Sequence, residues 1–561
     1  MMKPLAVLRE AVLQPAERDI ALFELGVALD RRGDAAAGIA AVREAVALRP
    51  DEPLYHFGLA WLLAHGRGGF EEAVDHARRA LALDPAAWKA AGLLGWLLGS
   101  VLGRPEEARP FLALAIGLNP EARPLYEALG RACLDVEGLD RRRARVEAAA
   151  PPQARQDLLY AGLATALMQV GRYDESLRLL EDALRAAPDT VLLLTTLAQA
   201  EDALGDEKGA AGHLERALEL APADGEVHAC CLSSGWRSGD PDRITAAITA
   251  VRRAASGASR PGGRGSPPPD PAAADPVAGR TVMLTEKAYG YGDMIQGARM
   301  AAVLQARGAR AILECKQPLR GLFETAHGAS GVVVPHDVYP HVDQAWFPFW
   351  AVPSLGWTWG ELDRVPYFDV PHGLRQTWAE RVHGAGEGVH VGLAWRPGDE
   401  LTLRDNPYRR RTIPLRELAP VISTPGTTCH ALHFGDAAAR EIAGLDGAAP
   451  LNLASTRLPD FLETAAIVCA LDIVVTVDTA VAHLAGALAK PTLLLLPYVA
   501  DARWGRRGTV LGYPTVRPFR QQVPGDWTPV IAGVRDALRG FVRDRAPQGR
   551  RMHAGSTPDR S

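Results

Sequence analysis

Several things are scarce in this chain of 561 residues, and each scarcity removes a class of protein. There are six cysteines, at 133, 230, 231, 315, 429 and 469. None forms a Cys-x-x-Cys pair, and the adjacent Cys230 and Cys231 are poorly placed to bridge each other. Free, buried thiols in a reducing cytoplasm are the expectation. No run of about 18 apolar residues occurs, so no helical membrane span is read. The start, MMKPLAVLREAVLQPAERD, is charged by Arg9 and lacks a long apolar core, so it is not read as a signal peptide. A basic excess is also missing. Lys and Arg number 62 against 66 Asp and Glu, a formal net charge of −4, which argues against a nucleic-acid partner. What remains is a globular composition, 47% hydrophobic, in a chain too long for one core. Three or four domains are expected.

A repeat fills the first half. Five segments end alike, at Pro50, Pro85, Pro120, Pro188 and Pro222, with a period of roughly 35 residues. The wide gap before Pro188 holds a degenerate copy near 121–151. An alanine precedes each proline by the same interval, at 45, 80, 115, 183 and 217, and Gly33, Gly103, Gly171 and Gly205 mark inter-helix turns. A last copy without its proline has Gly239 in the turn and Ile244, Ile248 and Val251 on its second helix. Small residues let two helices approach, glycine turns the chain and proline stops the second helix. Each hairpin buries its apolar stripe only against its neighbours, so several copies are needed. The pattern resembles the tetratricopeptide repeat over roughly residues 20–255. Such superhelices carry a concave groove for a peptide or protein. The plainer reading is a spacer or dimerisation arm.

The composition changes at 255–279, a Gly/Pro/Ala/Ser-rich stretch that reads as a disordered linker. The tail 546–561 reads the same way. Between them strands alternate with helices: 281–285, 310–315 and 331–335, then 390–396, 428–434, 472–478 and 492–497. Near-continuous apolar strands between helices imply parallel sheets covered on both faces. The expected organisation is an all-α repeat superhelix (1–254), the linker, and two Rossmann-like α/β lobes, 280–387 and 388–545. A cleft is expected at the carboxyl ends of their strands.

Two loops should face that cleft. In KAYGYGDMIQGAR, Gly290 and Gly292 permit a tight turn and close backbone approach to a ligand. Ile295 stands where a dinucleotide fingerprint needs its third glycine, and no Gly-Lys-Ser/Thr follows for a P-loop. Asp293 is either the N-cap of the following helix or a general base at the cleft. In VVTVDTAVAHLAGALAKPTLLLL, Asp478 ends a strand, Thr479 starts a helix, and His483 lies one turn on. A helix start attracts an anion such as a diphosphate. The alternatives are simple capping for Asp478 and Thr479, and a satisfied core histidine for His483. The run RDNPYRRRTIPL holds four arginines in eight residues. It is either a solvated surface run or a source of one phosphate partner, Arg411. Trp346, Trp350, Trp357 and Trp359 either pack a core or stack on a sugar.

The motifs GYGDMIQGARMAAVLQARGARAILE, RRRTIPL, VVTVDTAVAHLAGALAKPTLLLLP and ARWG…YPTVRPFRQ, in that order, resemble the glycosyltransferase domain of bacterial tetratricopeptide-repeat proteins related to the heptosyltransferases, glycosyltransferase family 9. The resemblance covers about 280–535. It implies a GT-B fold with the donor nucleotide sugar held mainly by the second lobe, Asp293 as base, and Asp478, Thr479 and His483 at the diphosphate. Ala480 stands where heptosyltransferases usually carry glycine. Arg411 takes the place of the family's phosphate-binding lysine. It further implies an inverting transfer to an acceptor hydroxyl. No Asp-x-Asp motif lies in a cleft loop, so no metal or other cofactor is expected. The repeats point to a protein acceptor, for instance an export-bound one such as flagellin, by analogy of fold. The alternatives are a non-catalytic repeat scaffold with a degenerate GT-B part, and a transferase acting on lipopolysaccharide or glycan.

Overall fold

The computed structural model describes residues 5–32, 34–65, 69–256, 277–285, 290–335, 337, 339–346, 363–397, 411–433, 436–444, 451–452, 460–506, 508 and 510–545. The turn residue Gly33, most of the linker, the tail, Trp350, Trp357, Trp359 and the arginines before Arg411 lie outside them. Trp346 closes a short strand.

Helical hairpins follow one another in sequence, from Arg18–Arg32 with Ala35–Leu48 to Gly225–Ser238 with Pro241–Ser256. The repeat chemistry explains their geometry. The second helices end at Leu48, Leu83, Leu118, Ala186 and Leu220, two residues before each proline. The next backbone N–H donates to the carbonyl of Ala45, Ala80, Ala115, Ala183 or Ala217. Those alanines are buried. Gly171 and Gly205 take left-handed φ of 84° and 93° in the turns, a conformation a Cβ disfavours. The degenerate copy is present as Arg123–Ala132 and Leu139–Ala149.

The second half holds two parallel sheets. The first has β1 (Thr281–Leu284), β2 (Arg310–Glu314), β3 (Ala329–Val333) and β4 (Gln344–Trp346), in the order β3-β2-β1-β4. The second has β5 (Val389–Ala394), β6 (Thr427–Ala431), β7 (Leu451–Asn452), β8 (Ile473–Val477), β9 (Thr492–Leu496) and β10 (Val516–Arg520). Its order is β10-β9-β8-β5-β6-β7, so the winding reverses between β5 and β8. In doubly wound sheets that is where ligands collect, outside the carboxyl ends of the strands. The fold is an α/β two-lobe arrangement after a helical superhelix. Strands β8 and β9 are buried at every position, as strands covered on both faces must be. The short β4 and β7, and β10 with its arginines, carry too little apolar pattern to stand out in the sequence.

The stretch that follows the glycine loop does not form one continuous helix. It forms two, Tyr291–Ala298 and Met300–Ala306, meeting at Arg299. Between the lobes the helix after β1 packs on the helix after β8 (Ala480–Ala487), and one hydrophobic core runs through both lobes. Small residues make this approach possible: a Cβ on Gly292 would lie 2.5 Å from His483 Cδ2.

The helical arm touches both lobes. Arg32, at the end of the first repeat's leading helix, donates to Asp337 (2.9 Å) and Gln317 (2.8 Å) of the first lobe. Arg237, in the last repeat, donates to the Ala500 carbonyl at 2.9 Å. Arg506 of the second lobe donates to the carbonyls of Asp202 and Ala203, acceptors in the last turn of a helix. All six cysteines are unbridged. Among the described residues no helix is long and apolar enough to cross a membrane.

Candidate functional site

The two loops singled out in the sequence meet at the lobe junction. Gly290 is the N-cap of the helix that follows β1, so Asp293 is its third residue rather than its cap. The carboxylate still serves the helix start, accepting the Gly290 N–H at 2.9 Å on Oδ2. Its other oxygen, Oδ1, pairs with the guanidinium of Arg503. Asp293 is therefore both a helix-start acceptor and a carboxylate presented to a cation from the other lobe.

Asp478 directly follows β8, at the point where the winding reverses. It is 3% exposed, and Arg411 Nη1 lies 2.9 Å from its Oδ2. Burial pushes the Asp478 carboxyl above its ordinary value, against the pull of Arg411. Thr479 is the N-cap of Ala480–Ala487, and no side-chain bond caps that helix. Its hydroxyl instead lies 3.2 Å from the Thr476 hydroxyl. Thr479 thus holds the cap position without a capping side-chain bond, and Asp478 is paired with Arg411.

His483 is 3% exposed. Its Nδ1 lies 3.2 Å from the Tyr513 hydroxyl, and its ring stacks on Trp504 with centroids 4.5 Å apart. Burial, with the nearby Arg299 and Arg411 cations, pulls its pKa down to about 3. The ring is neutral at pH 7 and fills the junction beside Gly292. It occupies the place of a satisfied core histidine, at the contact between the two loops.

The sequence reading gave no role to the segment 500–506, yet this segment joins the two sites. Asp501 caps the short helix Ala502–Trp504 through the Arg503 N–H, 3.0 Å. The Arg503 side chain grips the same carboxylate with two bonds, Nε to Oδ1 at 2.8 Å and Nη2 to Oδ2 at 2.9 Å. Arg411 Nη2 stands 4.0 Å from Asp501 Oδ2. The result is a chain of alternating charge, Asp293–Arg503–Asp501–Arg411–Asp478. It runs from the glycine loop of the first lobe to the carboxyl end of β8 in the second. The signal for it was in the quoted motif ARWG, whose arginine falls at 503 and tryptophan at 504.

Other missed residues brace the junction. Arg299, at the break between the two helices, is buried. It lies over the rings of Tyr513 (4.4 Å) and Tyr367 (5.1 Å) and donates to the Gly512 carbonyl at 2.8 Å. Arg520, at the end of β10, is half-buried and donates to the Gly505 carbonyl. Burial beside Arg506 and Arg237 pulls its pKa down to about 10. Beyond β5, His433 Nε2 accepts the backbone N–H of Trp395 at 2.9 Å and of Arg396 at 3.2 Å. Lys490 is a structural residue, its ammonium donating to the carbonyls of Cys469 (3.0 Å) and Leu471 (2.5 Å).

Comparison with known proteins bears first on the helical half. The tetratricopeptide-repeat family model matches residues 5–53, 23–68, 62–123 and 162–225, so this half is a tetratricopeptide-repeat scaffold. The chain is similar to Protein FlbA of Caulobacter vibrioides, 27% identical over 444 residues, 68% of this chain and 72% of FlbA. Among solved structures, a MamA protein is 16% identical over 37% of this chain and 93% of its own, with a TM-score of 0.23. PilW, a type IV pilus biogenesis factor, is 16% identical over 38% and 98%, TM-score 0.25. Pseudomonas aeruginosa PilF is 17% identical over 43% and 94%, TM-score 0.25. Scores of this size carry no functional information.

Proposed function

We propose that the α/β half is a glycosyltransferase and that the repeat half recruits a protein acceptor, for instance an exported one such as flagellin. The observation that supports it is the alternating chain Asp293–Arg503–Asp501–Arg411–Asp478 between the carboxyl ends of the strands in the two lobes. A carboxylate for proton removal stands at one end. At the other, Arg411 and the uncapped start of Ala480–Ala487 face the place where a diphosphate would lie.

In this reading the acceptor hydroxyl gives its proton to Asp293. Its oxygen attacks the anomeric carbon from the face opposite the leaving group, so configuration inverts. The bond from that carbon to the diphosphate breaks, and the nucleoside diphosphate leaves with the electron pair. Arg411 and the helix N–H groups offset the charge that develops. His483 and Tyr513 keep the glycine loop against the second lobe, which fixes Asp293 relative to the phosphate site.

The test is a thermal-shift and turnover screen of the full chain against UDP-, GDP-, ADP- and CMP-linked sugars. One donor should raise the melting temperature by mass action. Asp293→Asn should show a shift at least as large while turnover falls by about a hundredfold or more. Unchanged turnover in this variant would remove Asp293 from the mechanism. A second reading, a non-catalytic scaffold, draws on the buried, neutral His483 packed as a core residue. The absence of a shift with every donor would favour it.

A further inference from the structure

The repeat arm holds the segment 500–506 at several points. Arg237 of the last repeat donates to the Ala500 carbonyl, and Arg506 reaches back to the end of the helix Val191–Leu204. Gly505 lies so close to the last repeat's turn that a Cβ there would stand 3.1 Å from Gly239 Cα. Trp236, Ile244 and Ile248 of the last repeat pack with Ala502 and Leu511. Inside the segment, Asp501 grips Arg503 with two bonds. Within this frame one nitrogen of Arg503 is directed away from Asp501, and that Nη1 pairs with Asp293.

A carboxylate held by a guanidinium is a poorer proton acceptor than one released from it. The pairing with Arg503 therefore opposes the role of base. A diphosphate near Arg411 would change this, because Arg411 and Arg503 share the Asp501 carboxylate. A diphosphate as a whole carries more charge than one carboxylate, and its oxygens suit the planar fork of arginine.

We propose that Arg503 is a positioning residue exchanged between Asp293 and the donor diphosphate. Without donor it is paired with Asp293. With donor its Nη1 turns to the diphosphate, and Asp293 is released to accept the proton of the acceptor hydroxyl. Asp501 holds the rest of the side chain in place throughout. This rests on the transferase reading above, and it adds an order to the reaction: donor first, base second.

The exchange makes a prediction of sign that needs no turnover. Asp293 and the diphosphate compete for one cation, so removing the carboxylate charge should tighten diphosphate binding. The experiment is calorimetric titration of the full chain with UDP, GDP, ADP and CDP, using wild type, Asp293→Asn, Arg503→Ala, Arg503→Lys and Asp293→Asn with Arg503→Ala. For the nucleotide that binds, Arg503→Ala should weaken affinity about tenfold or more, the scale of a lost charge-assisted bond. Arg503→Lys should recover part of it. Asp293→Asn should tighten affinity about threefold or more, and this gain should vanish when Arg503 is also alanine. Lost packing would weaken binding, so a gain in Asp293→Asn carries the test even where Arg503→Ala does not fold. An unchanged or weaker affinity in Asp293→Asn overturns the exchange and leaves the transferase reading standing. An unchanged affinity in Arg503→Ala does the same. No binding of any of the four by wild type overturns both.

Discussion

The helical half and the α/β half bury comparable side chains in differently connected cores. In the repeats the buried residues form successive clusters of neighbouring hairpins. One is Leu22, Ala41, Ala45 and Tyr55; a long one runs from Val42 to Leu197; another runs from Leu194 to Val251. In the α/β half a single cluster includes Val282 and Leu313 of the first sheet with Val474 and Leu494 of the second. A second cluster covers the other face of the six-stranded sheet. The repeats should respond to damage locally, as stacked units do. The two lobes should respond together, because the helices after β1 and β8 share their apolar faces.

The strongest test of that contrast is Leu484→Ala, which empties a fully buried position in the shared core. A cost of about 2–5 kcal/mol is expected. Amide exchange should quicken in β1–β3 as well as in β8 and β9. Protection unchanged in the first sheet would mean that the lobes are energetically separate. Next in size is Gly162→Ala in the repeats. Its Cβ would stand 2.5 Å from the Tyr126 carbonyl carbon and 2.6 Å from the oxygen. Backbone cannot step aside as a flexible side chain can, so about 1–3 kcal/mol is expected. Faster exchange should be confined to the hairpins around 123–186; spreading into the sheets would break the comparison.

Acid sharpens it from another side. Burial pulls His483 and His433 down to about 3 and His430 to about 4. Each folded pKa lies below the unfolded value of about 6.5. As pH falls through 6.5 the unfolded chain takes up protons that the folded one refuses. Stability is therefore full above that point and declines toward pH 4 and 3, by about 1.4 kcal/mol per unit for each histidine. The raised Asp478 carboxyl opposes this in part. All three histidines are in the α/β half, so its calorimetric transition should fall faster between pH 7 and 5 than that of the repeats. The smallest effect is expected for Gly171→Ala, where φ is 84° and nothing lies within 4 Å of the added carbon. Only the backbone conformation is penalised, by about 1 kcal/mol, read as a small shift of the repeat transition alone.

The legible parts of the sequence were those in which neighbours along the chain decide the outcome. Ala45, Ala80, Ala115, Ala183 and Ala217 recur because every hairpin meets the same local crowding, so the pattern repeats where the geometry does. Strands β5, β8 and β9 stand out because burial on both faces leaves unbroken apolar runs. At the site, the sequence located Asp293, Asp478, Thr479, His483 and Arg411 near strand ends. It could not decide between cap and base for Asp293, and the structure has the carboxylate bonded to Gly290 and paired with Arg503 at once. It also left Asp501 and Arg503 unassigned. Their partners are more than two hundred residues away at Asp293 and about ninety at Arg411, and no local pattern encodes a distance in space.

By itself the sequence determined the period of the helical hairpins, where their second helices stop, and the alternation of strands and helices in the second half. These follow from backbone conformation and from apolar spacing along a few turns or a single strand. Only the tertiary structure decided that the lobes close on one core at Gly292 and His483. Only it decided that the repeat arm braces the 500–506 segment, and that five charged side chains line up from Asp293 to Asp478. Those outcomes depend on which distant surfaces fit and which buried charges find partners. A lone charge in a dry junction is costly and a paired one is tolerated, and pairing is a property of the folded whole.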